Sequence, residues 1–213
     1  MSRRLPIFAL PGVVLLPETL LPLHIFETRY RAMVRDALEG DRLIGMALLR
    51  PGWEQGGADP EIFPMGGAGE VVESEALEDG RYNILLRGAF RYRIVEELGV
   101  DPYRQARVAT VPSLPFSDGD AERLARSAAI RLFDAVRREM ELPPLPAEDL
   151  SPERLASEIA LRLRYAPPEL QALLETDSLP NRFESLAGRL REWQRRIRFL
   201  APHRPGSLDP GRN

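Results

Sequence analysis

One change of hydrophobic period divides this chain. Before the run Val111-Pro-Ser-Leu-Pro-Phe-Ser-Asp-Gly-Asp120, apolar residues come in short stretches cut by glycine and proline. After it they recur at helical spacing. Strands gathered in one block and helices in the next predict an α+β fold. The boundaries expected are a barrel over 1–112, a linker over 113–120, a helical bundle over 121–200 and a disordered tail over 201–213.

In the first block, Leu5–Leu10 and Leu20–Phe26 read as strands bounded by proline. Thr28–Glu39 reads as a helix, because Tyr30, Met33, Val34, Ala37 and Leu38 fall at i, i+3, i+4, i+7 and i+8, and Gly40 stops it. Arg42–Arg50 reads as a buried strand. Pro51–Gly69 holds six Gly and three Pro and reads as a long loop. Further strands are expected at Glu70–Ser74, Arg81–Arg87, Phe90–Glu96 and Tyr103–Val111, with a turn at Glu78-Asp-Gly80 and a bend or bulge at Gly88. Alternation points Phe90, Tyr92 and Ile94 inward and Arg91 and Arg93 outward. Short strands with Gly and Pro corners predict a compact barrel.

The second block opens with a helix over Asp120–Glu141. Its expected buried stripe is Leu124, Ala128, Leu132, Ala135, Val136 and Met140, opposite Arg123, Arg126, Arg131, Arg137 and Arg138. Ser151-Pro152 caps a helix to Tyr165, and Pro168 opens a short one to Glu175. From Leu179 to Leu200, apolar residues at 179, 183, 186, 190, 193, 197 and 200 make a heptad seam, expected to pack on the Asp120–Glu141 helix.

Composition narrows the chemistry. All 29 basic residues are Arg, and the chain has no Cys and only two His, His24 and His203. A P-loop, a Ser–Lys peptidase and a PLP enzyme each need a lysine these residues lack. Thiol nucleophiles and thiolate metal sites are excluded too. A net charge of −3 argues against a general polyanion binder. No apolar run approaches the roughly 20 residues of a membrane span, and Pro6 and Pro11 interrupt any signal-peptide core. The reading is a soluble, cytoplasmic protein without cofactor or metal.

His24 and Glu27 invite an acid–base reading, but strand alternation places them on opposite faces and no nucleophile stands near. Arg91 and Arg93, with Arg81 and Arg87, invite a nucleic-acid strip. The first 112 residues carry 13 Arg against 16 acidic residues, and no aromatic strip accompanies these arginines. Solvated outer-face charge is the reading taken.

Leu5-Pro-Ile-Phe-Ala-Leu-Pro-Gly-Val-Val-Leu-Leu-Pro17 and Leu21-Pro-Leu-His-Ile-Phe-Glu-Thr-Arg-Tyr-Arg31 resemble the N-terminal substrate-binding domain of Lon proteases. The likeness is strongest to the stand-alone bacterial proteins of that family. Leu85-Leu-Arg-Gly-Ala-Phe-Arg-Tyr-Arg-Ile94, Gln171-Ala-Leu-Leu-Glu-Thr-Asp177 and Arg182–Leu190 extend it over about residues 5–200. The resemblance implies a PUA-like β-barrel followed by a helical bundle with a long C-terminal helix. It also implies a non-catalytic module that recognises unfolded or apolar polypeptide segments, an adaptor or regulator in protein quality control, partnered by a Lon-type or other protease and monomeric or weakly dimeric. The residues expected to meet polypeptide are His24, Tyr30, Met33, Trp53, Phe63 and Met65. The alternatives are an RNA-binding PUA-like module and a small-molecule sensor using a barrel-mouth pocket.

Overall fold

Proline and glycine set the corners of the sheet. The structure, a computed structural model, describes residues 2–200 apart from Gly56 and Ala58, and the tail expected over 201–213 lies outside the described residues. Six strands form: β1 (Ser2–Leu10), β2 (Leu20–Ile25), β3 (Leu43–Leu48), β4 (Met65–Ala76), β5 (Tyr82–Gly99) and β6 (Gln105–Val111). Helix α1 (Thr28–Glu39) lies between β2 and β3, where its apolar spacing placed it. The helices that follow are α2 (Gly119–Glu139), α3 (Pro152–Arg162), α4 (Pro167–Glu175) and α5 (Leu179–Leu200).

Strand β1 runs parallel to β3 and antiparallel to β6, while β3–β4, β4–β5 and β5–β6 are antiparallel pairs. These pairings close a ring of five strands, and β2 lies along the first half of β5. The α+β organisation is the one expected.

Three expectations about the strands are corrected. Residues 65–69 belong to β4 and not to a loop. Their glycines admit close approach: a Cβ on Gly67 would fall on the Leu15 carbonyl oxygen, and one on Gly66 on the Tyr92 ring. That ring is fully buried inside the barrel, and its hydroxyl donates to Met46 O at 3.0 Å. Secondly, 82–87 and 90–96 are parts of one bent strand. Ala68 faces Phe90 and Gly69 faces Gly88, so Ala89 is the extra residue of a bulge.

Thirdly, Arg91 is not solvated. It is 1% exposed. Its guanidinium donates to Leu174 O (2.8 Å), Thr176 O (3.2 Å) and Pro112 O (2.8 Å) and pairs with Asp177 at 3.1 Å. Alternation identified its face correctly, but 83 residues later, at Leu174, the chain returns to cover that face. Exposed Arg93 behaves as expected.

The chain divides into two compact units. The first takes residues up to Leu114 together with Leu163–Asp177, and the second takes Pro115–Arg162 and the chain from Ser178. Helix α4 therefore falls with the strands, where the sequence reading put it in the bundle. Its Gln171, 2% exposed, donates from Nε2 to Met65 O at 2.9 Å.

In the second unit, Asp118 caps α2 by accepting from the Ala121 N–H at 2.8 Å. The buried line of α2 is Ala129, Phe133 and Val136: Val136 is buried as expected, while Ala129 and Phe133 take the places expected for Ala128 and Leu132. Leu124 is 72% exposed, and Arg126 donates to Leu150 O and Ala147 O instead of facing solvent. Helix α5 packs on α2, and its Leu179, Phe183, Leu186 and Leu190 are buried. Buried Arg182 pairs with Glu153 at 2.9 Å.

Arg91→Lys supplies one ammonium where two guanidinium arms reach separate carbonyls, so at least one buried acceptor loses its donor. Urea unfolding should show a loss of about 2 kcal/mol. An unchanged midpoint and slope would show that the guanidinium is dispensable.

Candidate functional site

A cavity of about 680 Å³ opens in the first unit between the end of β1, the start of α1 and two loop segments, 49–60 and 100–104. Each wall follows from local chemistry. Pro11 and Gly12, the latter at φ 83°, turn the chain out of β1. Gly52, at φ 88°, admits the tight bend that carries Trp53 into a short 3-10 turn, leaving its indole 37% exposed.

Tyr30 stands on the first turn of α1. Its ring centroid lies 4.2 Å from that of Phe8, and its hydroxyl donates to Ala9 O at 3.5 Å, a weak bond. Burial is the main cause that raises its pKa. Arg29 lies over the same ring at 4.5 Å and pairs with Glu27 at 3.0 Å. Trp53, Leu10 and Val100 give the groove apolar surface, while Glu27, Glu54 and Asp59 give it carboxylates.

Arg104 ties the walls together. It is 8% exposed, donates to Pro60 O at 2.8 Å, and pairs with Asp59 and, at 3.3 Å, with Glu97. Burial lowers its pKa, yet a guanidinium stays charged at any physiological pH. Beside it, the Tyr103 hydroxyl donates to Asp36 Oδ2 of α1 at 2.8 Å. Burial first, then that carboxylate, pushes the Tyr103 pKa up to about 12.

Of the six residues expected to meet polypeptide, the structure brings Tyr30 and Trp53 together in this groove. Phe63 is half-buried under the Arg50 guanidinium, 5.0 Å from it, outside the groove lining. Exposed His24 stands on β2, its Nδ1 2.8 Å from Asn83 Oδ1 and its Nε2 3.2 Å from Arg81. Glu27 turns instead to Arg29. Met33 and Met65 are corrected: both are 0% exposed and serve the core, because the α1 stripe that made Met33 conspicuous is the face that packs inward. Arg29, Val100 and Arg104 were missed. No periodicity marks them, since chain segments about 75 residues apart meet here. Among the described residues no group of three or more His, Cys, Asp or Glu is placed to hold a metal ion.

The sequence profile of the ATP-dependent protease La (LON) substrate-binding domain matches residues 4–192. The chain belongs to the LON substrate-binding domain family. The resemblance carried by Leu5–Pro17 and Leu21–Arg31 is thus borne out. Lon proteases from Dictyoglomus thermophilum and Anaeromyxobacter dehalogenans are 33% identical over 107 residues and 29% identical over 138. Those stretches cover 50% and 65% of this chain but only 13% and 16% of the proteases. The fold of this LON-family chain is also that of a Lon N-terminal domain protein from Xanthomonas campestris, at a TM-score of 0.59 and 22% identity over 87% of this chain and 98% of that one. The N-terminal domain of the Mycobacterium avium complex Lon protease superposes at 0.67, with 17% identity over 91% and 98% of the two chains. Among the described residues no helix is long and apolar enough to cross a membrane.

The Tyr103–Asp36 bond has a pH signature. A raised folded-state pKa contributes stability that is complete below the unfolded tyrosine value near 10 and is lost as pH rises through about 12. Alkaline melts of Tyr103→Phe should therefore lose less stability between roughly pH 10 and 12 than the parent. Parallel curves would show that this hydroxyl does not titrate in that window.

Proposed function

We propose that this chain recognises unfolded or apolar polypeptide segments without cleaving them, as an adaptor or regulator in protein quality control. The observation that carries the reading is the groove of the first unit, where half-exposed Trp53 and the floor at Tyr30 offer apolar surface inside a charged rim. Apolar pockets edged by a few polar anchors suit extended peptide: side chains fill the pocket while the rim meets backbone amides. Membership of a substrate-binding domain family supports the same reading. On it, Tyr30 and Trp53 touch the ligand, Phe63 and His24 lie outside the groove lining, and Met33 and Met65 stay in the core.

The direct test is an NMR titration of the full chain with an eight-residue peptide rich in Leu and Phe, a Gly/Ser peptide of equal length, and single-stranded RNA. Saturable shifts at Tyr30, Trp53, Val100 and Arg104 are expected with the apolar peptide alone. Trp53→Ala should weaken that binding by roughly tenfold or more, as removal of a buried aromatic anchor does. Shifts produced by RNA, with none from the apolar peptide at millimolar concentration, would defeat the proposal.

A further inference from the structure

A second depression, of about 600 Å³, is lined by Ser2, Arg3, Arg4, Leu98 and Arg107 and shares no residue with the groove. In the β1–β6 ladder, Arg4 stands directly opposite Arg107. Opposed residues of an antiparallel pair share a face, with Cβ atoms about 4.5–5.5 Å apart, and like charges so placed repel.

The surroundings compensate only in part. Arg107 pairs with Glu96 of β5 at 3.0 Å, its partner in the next ladder. The Arg4 Nε donates to Gln105 Oε1 at 2.6 Å, a neutral acceptor, and its terminal nitrogens meet no acceptor among the described residues. Arg3 lies over the Phe90 ring at 5.2 Å and forms no ion pair among the described residues. The guanidinium groups of Arg4 and Arg107 thus share one face against a single paired carboxylate, and Arg3 lines the same depression from the neighbouring strand position. Leu98, 38% exposed, makes an apolar lip beside them.

We propose that this depression is a second recognition site, which takes a carboxylate-bearing polypeptide segment. An Asp or Glu side chain bridges Arg4 and Arg107, and an apolar neighbour rests on Leu98. Planar guanidinium donors match a carboxylate in two-point geometry, and the bound anion relieves the repulsion between the arginines. A short anion fits better than nucleic acid. The positive excess is local to this ladder, Glu96 and Glu97 follow on β5, and the first 112 residues carry more acid than Arg. An extended polyanion would meet those carboxylates within a screening length of about 8 Å.

The full chain is titrated by NMR with acetyl-Ala-Glu-Asp-Leu-Glu-Ala-amide, its Gln/Asn counterpart, inorganic phosphate and an RNA oligonucleotide. The acidic peptide should saturate shifts at the Arg4 and Arg107 Nε–H groups and the Leu98 amide, with the neutral peptide at least about tenfold weaker. Arg4→Gln should weaken the acidic peptide by about tenfold while leaving the Leu/Phe-rich peptide at the Trp53 groove unaffected, which separates this site from the function proposed above. Arg4→Glu replaces a like-charge pair with an opposite one, so it should abolish acidic-peptide binding and raise the melting temperature by about 1–3 °C. Equal binding of acidic and neutral peptides, an unchanged affinity in Arg4→Gln, or tighter binding of phosphate or RNA than of acidic peptide would each overturn the proposal.

Discussion

A buried cation organises the first unit. Left without partners, the Arg91 guanidinium would cost several kcal/mol, so the fold around it must supply acceptors. It does so from two places far apart in sequence, the exit of β6 at Pro112 and the end of α4 at 174–177. The Leu114 N–H donates to Asp177 O at 2.8 Å, so the outgoing and returning chain are also bonded to each other. Asp177 is half exposed, which leaves the carbonyl oxygens, more than the ion pair, to hold the charge. A stretch that reads as one more bundle helix thereby becomes part of the strand-built unit.

How much of this was legible depends on how local each cause is. Helix α1 could be read to the residue because one face of one helix carries its whole signal. Strand β5 was read as two because Gly88 marks a bend, and only the partner strands reveal that the ladder continues through it. Gly66, Gly67 and Gly69 look like loop in sequence, yet their smallness lets Tyr92 and Leu15 press against the backbone of β4. In α2, Val136 was read correctly, but Ala128 and Leu132 stood where Ala129 and Phe133 are buried, because Leu124 and Leu132 outweighed Phe133 in an apolar pattern that is nearly continuous. The face of Arg91 was legible from alternation, but its burial carried no local signal. Apart from Asp177, its partners are carbonyl oxygens, which every residue owns.

The same logic separates the groove residues. Tyr30 and Trp53 stood out as aromatics at a helix start and on a glycine-rich segment, and both reach the groove. Arg104 and Val100 enter it only because β5 and β6 turn beside α1, and the Tyr103 hydroxyl fastens that turn to Asp36. Arg4 and Arg107 are ordinary surface arginines until the β1–β6 register sets them face to face. Recognition surfaces of this kind are made by pairing, and pairing is the part of a fold that a single sequence states least directly.

The distance along the chain between Arg91 and its acceptors has a consequence for birth on the ribosome. Leu174 lies 83 residues after Arg91. At about 5–20 residues per second, translation needs roughly 4–16 s to cover that interval. Once β6 ends at Val111 the strand ring is complete in sequence, while the Arg91 guanidinium still lacks its Leu174, Thr176 and Asp177 partners. The nascent first unit is therefore a vessel waiting for its stopper, and α4, synthesised after α2 and α3, is the piece that closes it.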